Sequence, residues 1–81
     1  MSNITNLQTD LLRTFVSVVE LGGHTKAGVA LGRSQPAISL QISRLEELVG
    51  ANLLVKVGRA ILPTQEGEKL LTFAREIVRI N

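Results

Sequence analysis

Residues 25–45 read TKAGVALGRSQPAISLQISRL, and they divide into two short helices around a sharp turn. Thr25 is placed to cap the first helix, and Leu31 closes its apolar face. Gly32 supplies the turn. Ser34 is placed to cap the second helix. Pro36 falls in that helix's first turn, where its missing N–H has no intrahelical partner to lose. Ala27 and Gly28 are small where the two helices must approach closely. Ile38, Ile42, Leu45 and Val49 then follow at helical spacing, which predicts one buried stripe. The opposite face carries Pro36, Ser39, Leu40 and Ser43, with Gln35 at its start. That face is polar yet uncharged, whereas exposed helical faces are usually charged. A short hydrogen-bonding face at the start of a helix suits the major groove of DNA. The same residues also read as an ordinary surface helix rich in Ser and Gln.

With 81 residues and 44% hydrophobic content, the chain predicts one small folded domain with one core. It contains no cysteine, which excludes a disulfide framework, a thiolate metal site and a cysteine nucleophile. No apolar run approaches the roughly 18 residues of a membrane span. The N-terminal stretch MSNITNLQTD lacks the basic region and apolar core of a secretory signal, and the missing cysteines fit a reducing cytosol.

Net charge is +2, but its distribution says more. Between His24 and Pro63 the bases are Lys26, Arg33, Arg44, Lys56 and Arg59, against only Glu46 and Glu47, a net +3 for that section. A basic centre on a near-neutral chain fits a phosphate-contacting face. The aromatic residues are Phe15 and Phe73 alone. Single-stranded binders stack bases on aromatic rings, so duplex DNA is the expected nucleic acid.

Outward from the opening stretch, Thr5 and Gln8 have the spacing of a capping box. The helix that follows shows Leu7, Leu11, Phe15 and Val18 or Val19, with Leu12 and Val16 beside them, a wide apolar stripe. Gly22–Gly23 ends it, and Gly50 ends the long helix after Ser34. Leu53 to Val57 and Ala60 to Leu62 are apolar runs joined by Gly58-Arg59, which predicts a two-residue hairpin with a type II′ turn. Lys56 and Arg59 lie near its tip. A basic hairpin after a reading helix is the wing of a winged helix–turn–helix. It also reads as a hairpin that covers the core, and both readings hold together. Pro63 ends the hairpin, and Thr64 is placed to cap a last helix with Glu66 and Glu68 in its first turn. Leu70, Leu71, Phe73, Ala74, Ile77, Val78 and Ile80 form a face too broad for one small core. No Gly or Pro stops that helix before Asn81, so it is expected to continue in a longer chain or to bury its face against a second copy.

The order of Thr-Lys-Ala at 25–27, Leu31, Ser-Gln-Pro-Ala at 34–37, Ser39, Ile42, Leu45-Glu46, Gly50, Leu53, Gly58-Arg59, Thr64 and Gly67 resembles the N-terminal DNA-binding domain of LysR-type transcriptional regulators. The resemblance runs from about Leu7 to Asn81. It implies a mainly α fold with a small β-hairpin: a winged helix–turn–helix over 1–63 and a linker helix over 64–81 that dimerises through Leu70, Phe73, Ala74, Ile77 and Val78. In that family an effector-binding domain follows, through which a small molecule acts, and the full proteins are commonly tetramers. That domain lies outside these residues. Several positions depart from the family pattern. His24 stands where Phe is usual. Gly28 replaces an alanine at about 1 kcal/mol of helix propensity. Leu40 stands where Arg or another polar residue is frequent, Leu54 where Phe is frequent, Pro63 where Leu is frequent, and Arg33 at a turn position that is usually apolar.

These readings assign roles. Gln35 reads adenine through its amide, and Pro36 and Leu40 meet thymine methyl groups, Leu40 having no means to read guanine. Ser39 and Ser43 bond bases or phosphates. Thr25 and Ser34 donate to phosphate unless capping uses them fully. Lys26, Arg33, Lys56 and Arg59 contact phosphates, the wing over 53–63 meeting either the backbone or the minor groove, although solvated charge is the ordinary reading of each. Arg44 either joins them or pairs with Glu47 or Glu20. His24, the only histidine, is expected to be a core or turn residue, since a metal site needs several ligands. Asp10 and Glu20 lie apart, with no nucleophile nearby. No metal, cofactor, membrane contact or catalysis is expected. The partners expected are a partly symmetric DNA operator and a second copy. The alternative is a protein-interaction module that uses the apolar 64–81 helix and keeps the helix–turn–helix as scaffold.

Overall fold

A computed structural model describes residues 2–80, with side chains from 8 to 79. The chain runs α1 (Ser2–Leu21), α2 (His24–Leu31), α3 (Gln35–Val49), β1 (Leu54–Val57), β2 (Ala60–Pro63) and α4 (Gln65–Ile80). α1 is the central element: it packs against α2, α3 and α4 and touches β2. Leu11, Leu12, Phe15, Val16 and Val18 supply its buried side, as the stripe predicts. Leu7 belongs to the same pattern, but its side chain lies outside those described. α1 begins at Ser2, so Thr5 is inside the helix and does not start it. The side chain needed for a Thr5–Gln8 capping pair is likewise outside the described ones.

Gly22, at φ 84, turns the chain out of α1 with its N–H on the Val18 carbonyl at 2.9 Å. α2 then starts two residues earlier than the sequence suggests. Gly23 is its N-cap, in extended backbone and without a side-chain cap bond, and its carbonyl accepts from the Ala27 N–H at 3.1 Å. A two-residue connection leaves no room for a separate cap, so Thr25 sits within the first turn. The turn after α2 forms as expected. Gly32 takes φ 67, and the Arg33 N–H donates back to the Gly28 carbonyl at 2.8 Å. A Cβ on Gly28 would lie 2.6 Å from the Arg33 carbonyl oxygen, so the absent side chain is space that the turn occupies. Ser34 Oγ accepts from the Ala37 N–H at 3.2 Å and caps α3.

Ile38, Ile42 and Leu45 are buried against α1, but Val49 is 44% exposed. The last turn of α3 overshoots the core. Gly50 (φ 81) turns the chain back, and Leu53, fully buried, fills the place that Val49 does not reach. One polar bond ties α3 to α1. The buried Thr14 hydroxyl donates to Gln41 Oε1 at 2.6 Å, a pairing that no local pattern announces.

β1 and β2 pair antiparallel, with Val57 opposite Ala60 and Leu54 opposite Pro63. Gly58 takes φ 63 while Arg59 has no positive φ, which is the φ pattern of a type II′ turn and not of type I′. Pro63 is therefore the last residue of β2, at a strand end that tolerates a missing donor. Thr64 caps α4 by accepting from the Gly67 N–H at 3.0 Å, and its own hydroxyl donates to the Asn52 carbonyl at 2.6 Å.

Three elements meet at Leu53. Its N–H donates to Glu46 Oε2 at 2.8 Å, and its carbonyl accepts from the Thr64 N–H at 3.0 Å. α4 lies so close that a Cβ on Gly67 would stand 2.1 Å from that carbonyl oxygen and 3.2 Å from Pro63 Cβ. Gly67→Ala is therefore expected to destabilise the fold by about 1–3 kcal/mol, the usual cost of overpacking, and outweighs the helix propensity that alanine adds. Thermal or urea unfolding checks this, and an unchanged midpoint would show that the contact yields freely.

Candidate nucleic-acid interface

The outward face of α3 carries Gln35, Pro36, Leu40 and Ser43, all exposed, with Ser39 half-buried beside them. No charged side chain interrupts it before Arg44. Gln35 Nε2 donates to Ser39 Oγ at 2.7 Å. That bond fixes the amide along the helix and leaves Gln35 Oε1 and one N–H unused, the acceptor–donor pair that matches an adenine edge. Leu40 stands 53% exposed at the centre of the face. Ser43 borders a shallow depression shared with Glu46, Glu47 and Asn52. Carboxylates there oppose phosphate, and the uncharged stretch of the α3 face gives way to acidic residues after Ser43.

Beside this face lies a cleft of about 370 Å³, lined by Gly22, Gly23, His24, Thr25, Lys26, Gln35, Lys56, Arg59 and Ile61. The α1–α2 turn, the start of α2, the start of α3 and the wing each contribute. Thr25, Lys26, Gln35, Lys56 and Arg59, dispersed in the sequence, thus converge around one space. Three of them are cations, and no carboxylate lines it. Arg33 and Ser34 stand outside it, exposed in the turn before α3. Arg44 is also exposed. It borders a groove with Leu11, Glu47 and Leu48 and makes no ion pair among the described residues. Glu20, one expected partner, pairs instead with Arg75 at 3.2 Å, because α4 packs along α1. The sequence reading missed two members of this region. His24 lines the cleft, its only signal being its departure from the usual Phe. Glu46 fixes the wing through the Leu53 N–H, a role that sequence spacing does not show.

On α4, Leu71 and Ala74 are buried in the domain's own core. This corrects the expectation for Ala74: its side chain has no outer surface to offer a partner, since α4 presents it directly to α1. Leu70, Ile77 and Val78 are half-buried against the same core, and Phe73 is 56% exposed. Among the described residues no three of His, Cys, Asp and Glu gather as metal ligands, and no helix is long and apolar enough to cross a membrane.

Comparison with known proteins agrees with this geometry. The family model for "Bacterial regulatory helix-turn-helix protein, lysR family" matches residues 9–68. The HTH-type transcriptional regulator PecT of Dickeya dadantii (strain 3937) is 45% identical over 96% of this chain and 25% of its own length. The nitrogen assimilation regulatory protein nac of Klebsiella aerogenes is 40% identical over 84% of this chain and 22% of its own length. The chain thus spans about a quarter of the length of these relatives. Among solved structures, the BenM_DBD/benA site 1 DNA complex superposes with a TM-score of 0.83 at 38% identity, covering 88% of this chain and 80% of that one. The CbnR_DBD–DNA complex gives a TM-score of 0.82 at 35% identity, covering 89% and 83%. PecT is thus a transcriptional regulator and nac a regulatory protein. The chain belongs to the lysR family of bacterial regulatory helix–turn–helix proteins, and its winged helix–turn–helix is a DNA-binding domain of that family.

Proposed function

We propose that the α3 face from Ser34 to Ser43 reads duplex DNA in the major groove while the cleft between α2, α3 and the wing holds the phosphate backbone. The observation that carries this reading is the convergence of Lys26, Lys56 and Arg59 around one acid-free cleft beside an uncharged helix face. Gln35 and Ser39 act as one reading unit, Pro36 and Leu40 meet thymine methyl groups, and Ser43 closes the face. Thr25, Lys26, Lys56 and Arg59 bind phosphates from the cleft, and Arg33 does so from the preceding turn. Ser34 acts chiefly as the cap that aims α3. Sequence is read by the first set, while the second positions the domain.

Two copies join through α4, with Phe73 as the exposed anchor and Leu70 and Ile77 beside it on adjacent turns. Residues 1–63 form the reading unit and 64–81 the dimerising one. A two-fold pair of domains then reads two half-sites of a partly symmetric operator, in the cytoplasm of a bacterium. The full regulator answers a small molecule through a further domain and assembles to a tetramer. A scaffold that serves only protein contacts has no use for three converging cations, so it is the weaker reading.

With three or four phosphate contacts in each of two copies, log affinity should fall against log salt with a slope of about −5 to −7. A slope near zero would remove phosphate binding from the cleft. On a duplex selected from a random pool, Gln35→Ala and Ser39→Ala should each weaken binding by about 1–3 kcal/mol. The double variant should lose less than the sum, because the two side chains bond each other. Additive losses would mean that they read independently. Phe73→Glu should shift the chain from dimer to monomer in sedimentation while its unfolding midpoint stays nearly unchanged, since the ring is more than half exposed. A dimer that persists would place the interface elsewhere.

A further inference from the structure

We propose that His24 is a proton-dependent phosphate contact of the cleft, so that acidification strengthens the binding of duplex DNA. The proposal rests on the DNA-binding reading above and adds to it a residue that the sequence pattern assigns to the core or a turn.

His24 is the first residue of α2 and is only half-buried. It lines the cleft together with Lys26 from its own helix, Gln35 from α3, Lys56 from β1 and Arg59 from the hairpin turn. The charged residues that line the cleft with it are all cations. The acid near the end of α1, Glu20, is held by Arg75 at 3.2 Å, and no carboxylate lines the cleft. The imidazole makes no hydrogen bond or ion pair with another described residue. Its ring nitrogens have no internal task, unlike those of a histidine that is satisfied within a core.

A phosphate held by Lys26, Lys56 and Arg59 brings negative charge into the cleft that His24 lines. The imidazolium then gains a charge-assisted N–H bond to a phosphate oxygen, while the neutral ring gains much less. DNA binding therefore takes up a proton at His24. By linkage the sign follows: whatever binds the protonated form better binds more tightly as pH falls. Histidine is the side chain whose charge ordinarily changes between pH 5 and 8. This chain has one histidine and no cysteine, so a pH dependence that disappears on replacing His24 is assigned to that side chain.

The test needs no operator, because phosphate contact is independent of sequence. Binding of the chain to a mixed-sequence duplex of about 25 base pairs is measured by fluorescence anisotropy at pH 5.5, 6.5 and 7.5 and fixed low salt. Wild-type affinity should rise by about three- to tenfold from pH 7.5 to 5.5, the range of a partly exposed ion pair counted once or twice per dimer. His24→Phe, which restores the family's usual bulk, and His24→Gln, which keeps a neutral polar group, should each change by less than about twofold over that interval. Circular dichroism at each pH shows that the variants fold. A flat wild-type profile, or the same pH dependence retained in either folded variant, overturns the proposal. Absence of duplex binding at every pH and at low salt overturns the DNA-binding reading itself.

Discussion

The peptide unit of Leu53 is the constraint on which the arrangement of the reading surface depends. Its side chain fills the core, its N–H is held by the Glu46 carboxylate of α3, and its carbonyl takes the Thr64 N–H at the head of α4. Gly67 lies against that carbonyl because no side chain intervenes. α3, the wing and α4 are thereby referred to one point. A hydrogen bond to a carboxylate is stronger than one between neutral groups, and here it replaces the sheet pairing that a two-stranded wing lacks on its outer edges. An isolated hairpin of four-residue strands is marginal in water. The wing keeps its place relative to α3 because its root is clamped and its inner residues, Leu54 and Ile61, pack on the core.

A second close contact sets the other side of the cleft. The Arg33 carbonyl occupies the volume above Gly28, so α2 and α3 meet at the distance of backbone against backbone. Ser34 then directs the start of α3 outward. The positive end of the α3 dipole carries no acidic residue in its first turn, and its first residue, Gln35, lines the same cleft as Lys26, Lys56 and Arg59. At the far end, Glu46 and Glu47 reverse the sign. The field along α3 thus runs from attractive to repulsive for phosphate, which confines the proposed contact to the turns that bear Gln35, Ser39 and Leu40.

The parts of the fold legible in the sequence are those fixed by local stereochemistry. Gly32, Gly50 and Gly58 take the left-handed conformations that their contexts demand, and Ser34 and Thr64 cap the helices that follow them. What failed depended on where elements begin and stop or on neighbours distant in sequence. Thr25 lost its capping role because the α1–α2 connection is only two residues long. Val49 lies in phase with the buried stripe but beyond the end of the core, and a stripe alone does not say where the core stops. Glu20 was taken by Arg75, more than fifty residues away, and Ala74 by its own core. For the same reason the sequence named Lys26, Lys56 and Arg59 one at a time, and only the packing of the wing beside α2 made them neighbours.

In the proposed reading, the division of charge between the two halves of the interface has a physical purpose. Exposed cations on α3 itself would bind any phosphate backbone and hold the helix in place whatever the bases beneath it. An uncharged face gains little from a groove unless its hydrogen bonds are matched, and an unmatched buried amide costs roughly 1–3 kcal/mol. Under the proposed reading, charge placed on α2 and the wing supplies sequence-independent attraction from the flanks, while Gln35 and Ser39 penalise a wrong base. Leu40 sharpens the same logic: in water its 53% exposure is unfavourable, beside a thymine methyl it is relieved, and beside a guanine edge it would cover an acceptor with nothing to offer in return. On this arrangement, discrimination at the centre of the face comes from the penalty on mismatched groups more than from the strength of matched ones.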